Sequence, residues 1–184
     1  MEERVGEAFE LGERLTVVGR KLSPGDVAPD FALEHVEPGT ESMVTIRLAD
    51  SAGMVRLLNV VNSLDTPVCH VETRHWEELI ANLPSDVRVL TVSMDLPYAQ
   101  ARWQRAEGVG HPALSAHKSE QFGRDYGVLV KEWRLLQRAV FVIGRDGRVA
   151  YAEYVADQMQ EPAYEAAIVA AHASSRADAA SGQA

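Results

Sequence analysis

The feature that most confines this chain is residues 55–61, an apolar run of Val, Leu and Val interrupted only by Arg56 and Asn59. A run of that length, bounded by turn residues, is a strand covered on both faces, so helices must lie above and below it. A turn over 62–68 then leads to a helix over 69–82, where Trp76, Leu79, Ile80 and Leu83 recur at helical spacing before Pro84 stops it. Residues 87–94 read as a second buried strand, 97–106 as a helix opened by Pro97, and 138–143 as a third strand. Asp146-Gly147 makes a hairpin turn into a strand over 149–155, and 162–172 closes the order as a helix.

A strand-helix-strand unit followed by an antiparallel hairpin and a last helix gives a mixed sheet with helices on both faces. The expected fold class is therefore α/β, a thioredoxin-like mixed sheet flanked by helices, and 184 residues suit a single domain. Residues 1–22 form an N-terminal arm in which Glu13 to Gly19 can make a short hairpin. The domain occupies 23–172, entered by the turn Ser23-Pro24-Gly25-Asp26 and an extended stretch through Pro29 and Leu33, with strand-like alternation over 44–48. The segment 173–184, rich in Ala, Ser, Gly and Asp, is expected to be a flexible tail.

Twenty-seven acidic against 18 basic residues give a net charge of −9, which repels nucleic-acid phosphates and anionic lipid. Neither nucleic acid nor a membrane is an expected partner. The start, Met1-Glu2-Glu3-Arg4-Val5-Gly6, has no basic and then apolar character, so no secretory signal is read there. No apolar run approaches the ~20 residues that span a bilayer, and a cytoplasmic location is expected. Six histidines invite a metal reading, but His70 and His75 fall on different faces of one helix and no carboxylate cluster joins them. Gly108-Val109-Gly110 lacks the strand-to-helix setting and the lysine of a nucleotide loop. No metal and no cofactor is expected.

The chain has one cysteine, Cys69, which can close no intramolecular disulfide and can build no Cys-rich zinc site. Its place is the first turn of the helix that follows the buried strand. Unpaired N–H groups and the helix dipole stabilise a thiolate there, and the thiolate is the nucleophile. Thr66, three residues earlier, can offer a hydroxyl to a substrate oxygen, although capping the helix would explain it equally well. Attack by a thiolate develops charge on the leaving group, so a fixed cation is useful; Arg138, opening the third strand, is the candidate. Trp76 shares the helix face of Cys69 and is read as packing beneath it.

The stretch Leu58-Asn59-Val60-Val61-Asn62-Ser63-Leu64-Asp65-Thr66-Pro67-Val68-Cys69 closely resembles the active-site segment of bacterial thiol peroxidases, a peroxiredoxin subfamily. Ala28-Pro29-Asp30-Phe31, Asp95-Leu96-Pro97-Tyr98-Ala99-Gln100, Phe122-Gly123-Arg124-Asp125-Tyr126-Gly127 and Arg138-Ala139-Val140 extend the likeness in order over roughly 15–170. The resemblance implies that Cys69 is the peroxidatic cysteine, Thr66 the hydroxyl donor and Arg138 the active-site cation. It also implies hydrogen peroxide or an alkyl hydroperoxide as substrate, and pairing as a homodimer.

Two positions depart from the pattern. The family's P-x-x-x-T-x-x-C motif opens here with Asn62 instead of proline, and Gln104 stands where the resolving cysteine is usual. The implied cycle therefore uses one cysteine, reset by an external thiol such as thioredoxin or a low-molecular-weight thiol. The alternative is a non-enzymatic peroxide-sensing switch or binding module on the same fold, distinguished by whether peroxide is consumed catalytically with excess thiol.

Overall fold

The computed structural model describes residues 2–177. A hairpin of β1 (Glu3–Glu10) and β2 (Glu13–Val18) precedes β3 (Ala32–Val36), β4 (Met43–Arg47), β5 (Val55–Val60), α1 (Pro67–Leu79), β6 (Val87–Ser93) and α2 (Pro97–Glu107). The second half contributes β7 (Ala113–Ser115), α3 (Gln121–Asp125), β8 (Leu129–Val130), β9 (Leu135–Leu136), β10 (Ala139–Ile143), β11 (Val149–Tyr154) and α4 (Tyr164–Arg176). Among the described residues, seven strands form one sheet in the order β11-β10-β5-β6-β7-β3-β4, and a smaller sheet runs β1-β2-β8-β9.

The run that dominated the sequence is the middle of the large sheet. β5 pairs in parallel with β6 and antiparallel with β10, and all six of its residues are buried. Alternation along each strand divides the core. Leu58 and Val60 face a cluster with Leu90, Val92, Phe141 and Phe122, while Val55 and Leu57 face Val140, Val142, Trp76 of α1 and Ala167 of α4. Burying an aliphatic side chain of this kind stabilises by about 1.5–3 kcal/mol, so the two faces together supply the main drive for folding. Trp76 thus packs between α1, the sheet and α4; the tryptophan beside Cys69 is Trp103 of α2.

The two polar interruptions of β5 are both hydrogen-bonded, with Arg56 Nε and Asn59 Oδ1 left without partners. Arg56 donates to the carbonyls of Ser51 (3.3 Å) and Met54. Asn59 donates to Thr91 Oγ1 (3.1 Å) and Thr73 Oγ1 (3.4 Å). Thr91 Oγ1 in turn meets His111 Nε2 at 2.9 Å, and His111 Nδ1 meets Glu77 Oε2 at 2.6 Å. This chain of bonds locks α1 onto β5 and β6. Its hydrogen bonds from His111 hold the Glu77 carboxyl down at about 2.

Several elements differ from the sequence expectation. β7, α3, β8 and β9 span two to five residues each, too few for a periodic signal. α4 runs to Arg176, beyond the expected end at 172, because His172 meets Asn82 O (3.1 Å) and Ser175 donates to Asp86 (2.6 Å), which dock its last turn. The remainder of the tail expected over 173–184 lies, from 178 on, outside the described residues. No helix among the described residues is long and apolar enough to cross a membrane.

The N-terminal hairpin is attached through β2–β8 pairing of Val17 with Val130 and Val18 with Leu129. Beside that seam Gly127 has φ +63, and a Cβ there would lie 2.2 Å from Arg20 O. A backbone oxygen cannot retreat as a flexible side chain can. Left-handed backbone alone costs an L-residue about 1–2 kcal/mol, so Gly127→Ala should lower the midpoint of thermal unfolding by at least about 3 °C. A calorimetric scan checks this; an unchanged midpoint would mean the seam is far looser than described.

Candidate active site

β5 ends at Val60 and the chain turns through Asn62, Ser63 and Leu64 before α1 begins. Asp95, just past β6, fixes that turn: it accepts from Ser63 Oγ (2.7 Å), the Leu64 N–H (2.9 Å) and Ser93 Oγ (2.8 Å). Thr66 is the N-cap residue with φ −84° and ψ 144°, and Pro67 takes the first helical position, where a missing N–H is harmless. Cys69 is thereby the third helical residue. It lies in the first turn, whose N–H groups lack intrahelical partners.

The sulfur is enclosed. Cys69 is fully buried among Val61, Leu64, Trp103, Val109 and Ala113. Trp103 is itself held by donating Nε1–H to His70 Nδ1 at 3.2 Å. Two polar groups reach Sγ: Arg138 Nη2 at 3.5 Å and Asn62 Oδ1 at 3.8 Å.

Arg138 directly precedes β10 and is 1% exposed, so its charge must be satisfied inside the protein. Nη1 donates to Glu72 Oε2, Nη2 donates to Gln158 O at 2.8 Å, and the backbone N–H donates to Gln158 Oε1 at 2.9 Å. Glu72 is one turn beyond Cys69 on α1 and wholly buried. Burial pushes its carboxyl up to about 8 against the pull of the Arg138 guanidinium, and its Oε1 has no hydrogen-bond partner. The pair is a buried counter-charge arrangement that aims the guanidinium at the sulfur.

The structure thus brings Cys69 and Arg138 into contact. Thr66 is half-buried at the cap of α1, where its hydroxyl donates to Ser63 O (2.8 Å) and makes no side-chain capping bond. Gln104, buried on α2 next to Trp103, donates to His111 O at 2.7 Å. Among the described residues no group of three or more His, Cys, Asp and Glu side chains is placed to hold a metal ion.

Two residues of the site went unread in the sequence. Glu72 carried a signal: Cys69, Glu72, Thr73 and Trp76 are the buried stripe of α1, and a carboxylate in such a stripe requires a cation. Gln158 carried none, since it follows β11 in a short loop without pattern.

Residues 24–152 match the AhpC/TSA family. The chain is 46% identical to the thiol peroxidase of Streptococcus pneumoniae over 164 residues, 89% of this chain and 97% of that protein. It is 45% identical to the thiol peroxidase of Bacillus subtilis over 163 residues, 88% and 94% of the two chains. A peroxiredoxin-like protein from Aquifex aeolicus, 32% identical, superimposes with a TM-score of 0.77 over 91% of this chain and 97% of its own. With a family match across most of the sheet, relatives that span nearly the whole chain, and a buried cysteine at a strand-to-helix turn, this chain belongs to the AhpC/TSA family.

Proposed function

We propose that the chain is a thiol-dependent peroxidase in which Cys69 reduces hydrogen peroxide or an organic hydroperoxide and is reset by an external thiol. The observation that carries this reading is the 3.5 Å approach of Arg138 Nη2 to Cys69 Sγ at the first turn of α1. A cation and a helix N-terminus converge on one sulfur, and both favour the thiolate over the thiol.

The thiolate attacks one peroxide oxygen. An S–O bond forms, the O–O bond breaks, and the electron pair departs on the distal oxygen, which takes a proton and leaves as water or alcohol. Arg138 offers charge stabilisation to that developing oxyanion. The Thr66 hydroxyl serves the substrate by turning from Ser63 O toward the entering peroxide.

The product on the enzyme is a sulfenic acid. With one cysteine in the chain, an outside thiol attacks that sulfur and expels water, and a second thiol releases Cys69. Thioredoxin or a low-molecular-weight thiol fits this role. A homodimer working in the cytoplasm accords with the resemblance.

Consumption of hydrogen peroxide in excess thiol tests the assignment. Cys69→Ser should abolish it, and Arg138→Ala should slow it on the order of 10²–10³-fold, the usual loss for one donor to a developing oxyanion. Peroxide loss that stops after one equivalent would favour a sensor over an enzyme, and a fully active Cys69→Ser protein would refute the scheme.

Glu72 yields a separate prediction. Its folded-state value of about 8 exceeds its ordinary 4.5, so between these limits the native state binds more protons than the unfolded chain. The stabilisation this gives is complete below about 4.5 and lost as pH rises through about 8. Glu72→Gln, which has nothing to titrate, should flatten the fall in stability over that window. Urea melts at several pH values decide it; parallel pH profiles for parent and variant would contradict the buried carboxyl.

A further inference from the structure

Asn62, in the place of the family's proline, is held by partners that leave no freedom in its orientation. Its Nδ2 donates to Leu136 O at 2.5 Å and to Gln158 Oε1 at 3.0 Å. Leu136 O is a backbone carbonyl and can only accept, so the group facing it is the NH₂. Gln158 Oε1 is fixed in the same way, because it also accepts the Arg138 backbone N–H at 2.9 Å. Gln158 Nε2 donates to Val155 O at 2.6 Å. Backbone groups therefore assign both amides, and Asn62 must turn Oδ1, a pure acceptor, toward Cys69 Sγ at 3.8 Å.

An acceptor aimed at a sulfur opposes a thiolate, and in the resting site it takes the thiol's S–H. It has use only when the sulfur, or an oxygen on it, carries a proton. Resting on the peroxidase reading, we propose that Asn62 acts on the sulfenic acid, accepting the hydrogen bond of its S–O–H group and so protecting Cys69 from a second peroxide.

The second oxidation explains why a proton matters. It proceeds through the deprotonated sulfenate: its sulfur attacks a second peroxide, a new S–O bond forms, the O–O bond breaks, and hydroxide departs and is protonated to water, leaving sulfinic acid. Arg138 Nη2 favours the anion. Asn62 Oδ1 is the opposing group, holding the proton on oxygen until a thiol arrives. A chain with Gln104 at the resolving position has no internal thiol to shorten that wait, and Asn62 supplies protection by another route.

The test measures how sulfenic acid partitions. The parent, Asn62→Pro and Asn62→Ala are treated with increasing hydrogen peroxide without thiol, with a fixed excess of dimedone present from the start so that every sulfenic acid partitions between the adduct and a second peroxide, and the Cys69 peptide is analysed by mass spectrometry. The readout is sulfinic acid formed per sulfenic acid formed, which is independent of how fast the first step runs. Both variants should show this ratio raised about two- to tenfold, the span of one ordinary hydrogen bond. Proline is the family residue at this place and alanine adds no bulk, so one variant suffices if the other does not fold. A ratio equal to the parent's in a folded variant overturns the role of Asn62 and leaves the peroxidase reading standing. A parent that never yields a dimedone adduct overturns both.

Discussion

A guanidinium with 1% of its surface exposed is the constraint around which the site is arranged. Removing one partner from a buried ion pair costs about 3–5 kcal/mol, because the remaining charge is left without solvent. Arg138 therefore commits the structure to Glu72, to the Gln158 carbonyl and to the sulfur it faces. Those partners come from α1 and the loop after β11, so the charge cannot be accommodated until these elements have met the strand that Arg138 opens. The site and the fold are one packing problem.

The surrounding scaffold follows from that requirement. β5 and β10 are adjacent antiparallel strands, which places the turn leaving β5 beside the residue that enters β10: Ala139 pairs with Val60. Asp95 ties the turn to the end of β6, and the Asn59-Thr91-His111-Glu77 chain ties α1 to the sheet. The N-terminal hairpin belongs to this support as well. Phe9 exchanges backbone hydrogen bonds with the loop that carries Gln158, donating to Ala156 O (2.8 Å) and accepting from the Gln158 N–H (2.9 Å). Through Gln158 the hairpin steadies both Arg138 and Asn62.

Most of the framework was legible because its signals are strong. The apolar run of β5, the prolines opening α1 and α2, and the Asp146-Gly147 turn each report a physical necessity that survives in any context. The thioredoxin-like mixed sheet follows from their order. What escaped was set by tertiary contact: two-residue strands such as β8 and β9 exist only because a neighbour pairs with them, and Trp76 could not be separated from Trp103 by helical spacing alone. At the site, Cys69 and Arg138 could be named from chemistry. Glu72 needed the inference that a carboxylate in a buried stripe has a cation, and Gln158 is visible only once the loop after β11 has folded back over Arg138.

The central claim is that one buried sulfur, aimed at by Arg138, takes up a single oxygen from peroxide and gives it up to a thiol. Intact-protein mass spectrometry after one equivalent of hydrogen peroxide tests this directly. The account predicts a gain of one oxygen atom, located on Cys69 by peptide mapping and removed completely by subsequent addition of dithiothreitol. An unchanged mass, or oxygen carried on methionine while Cys69 stays reduced, would contradict it.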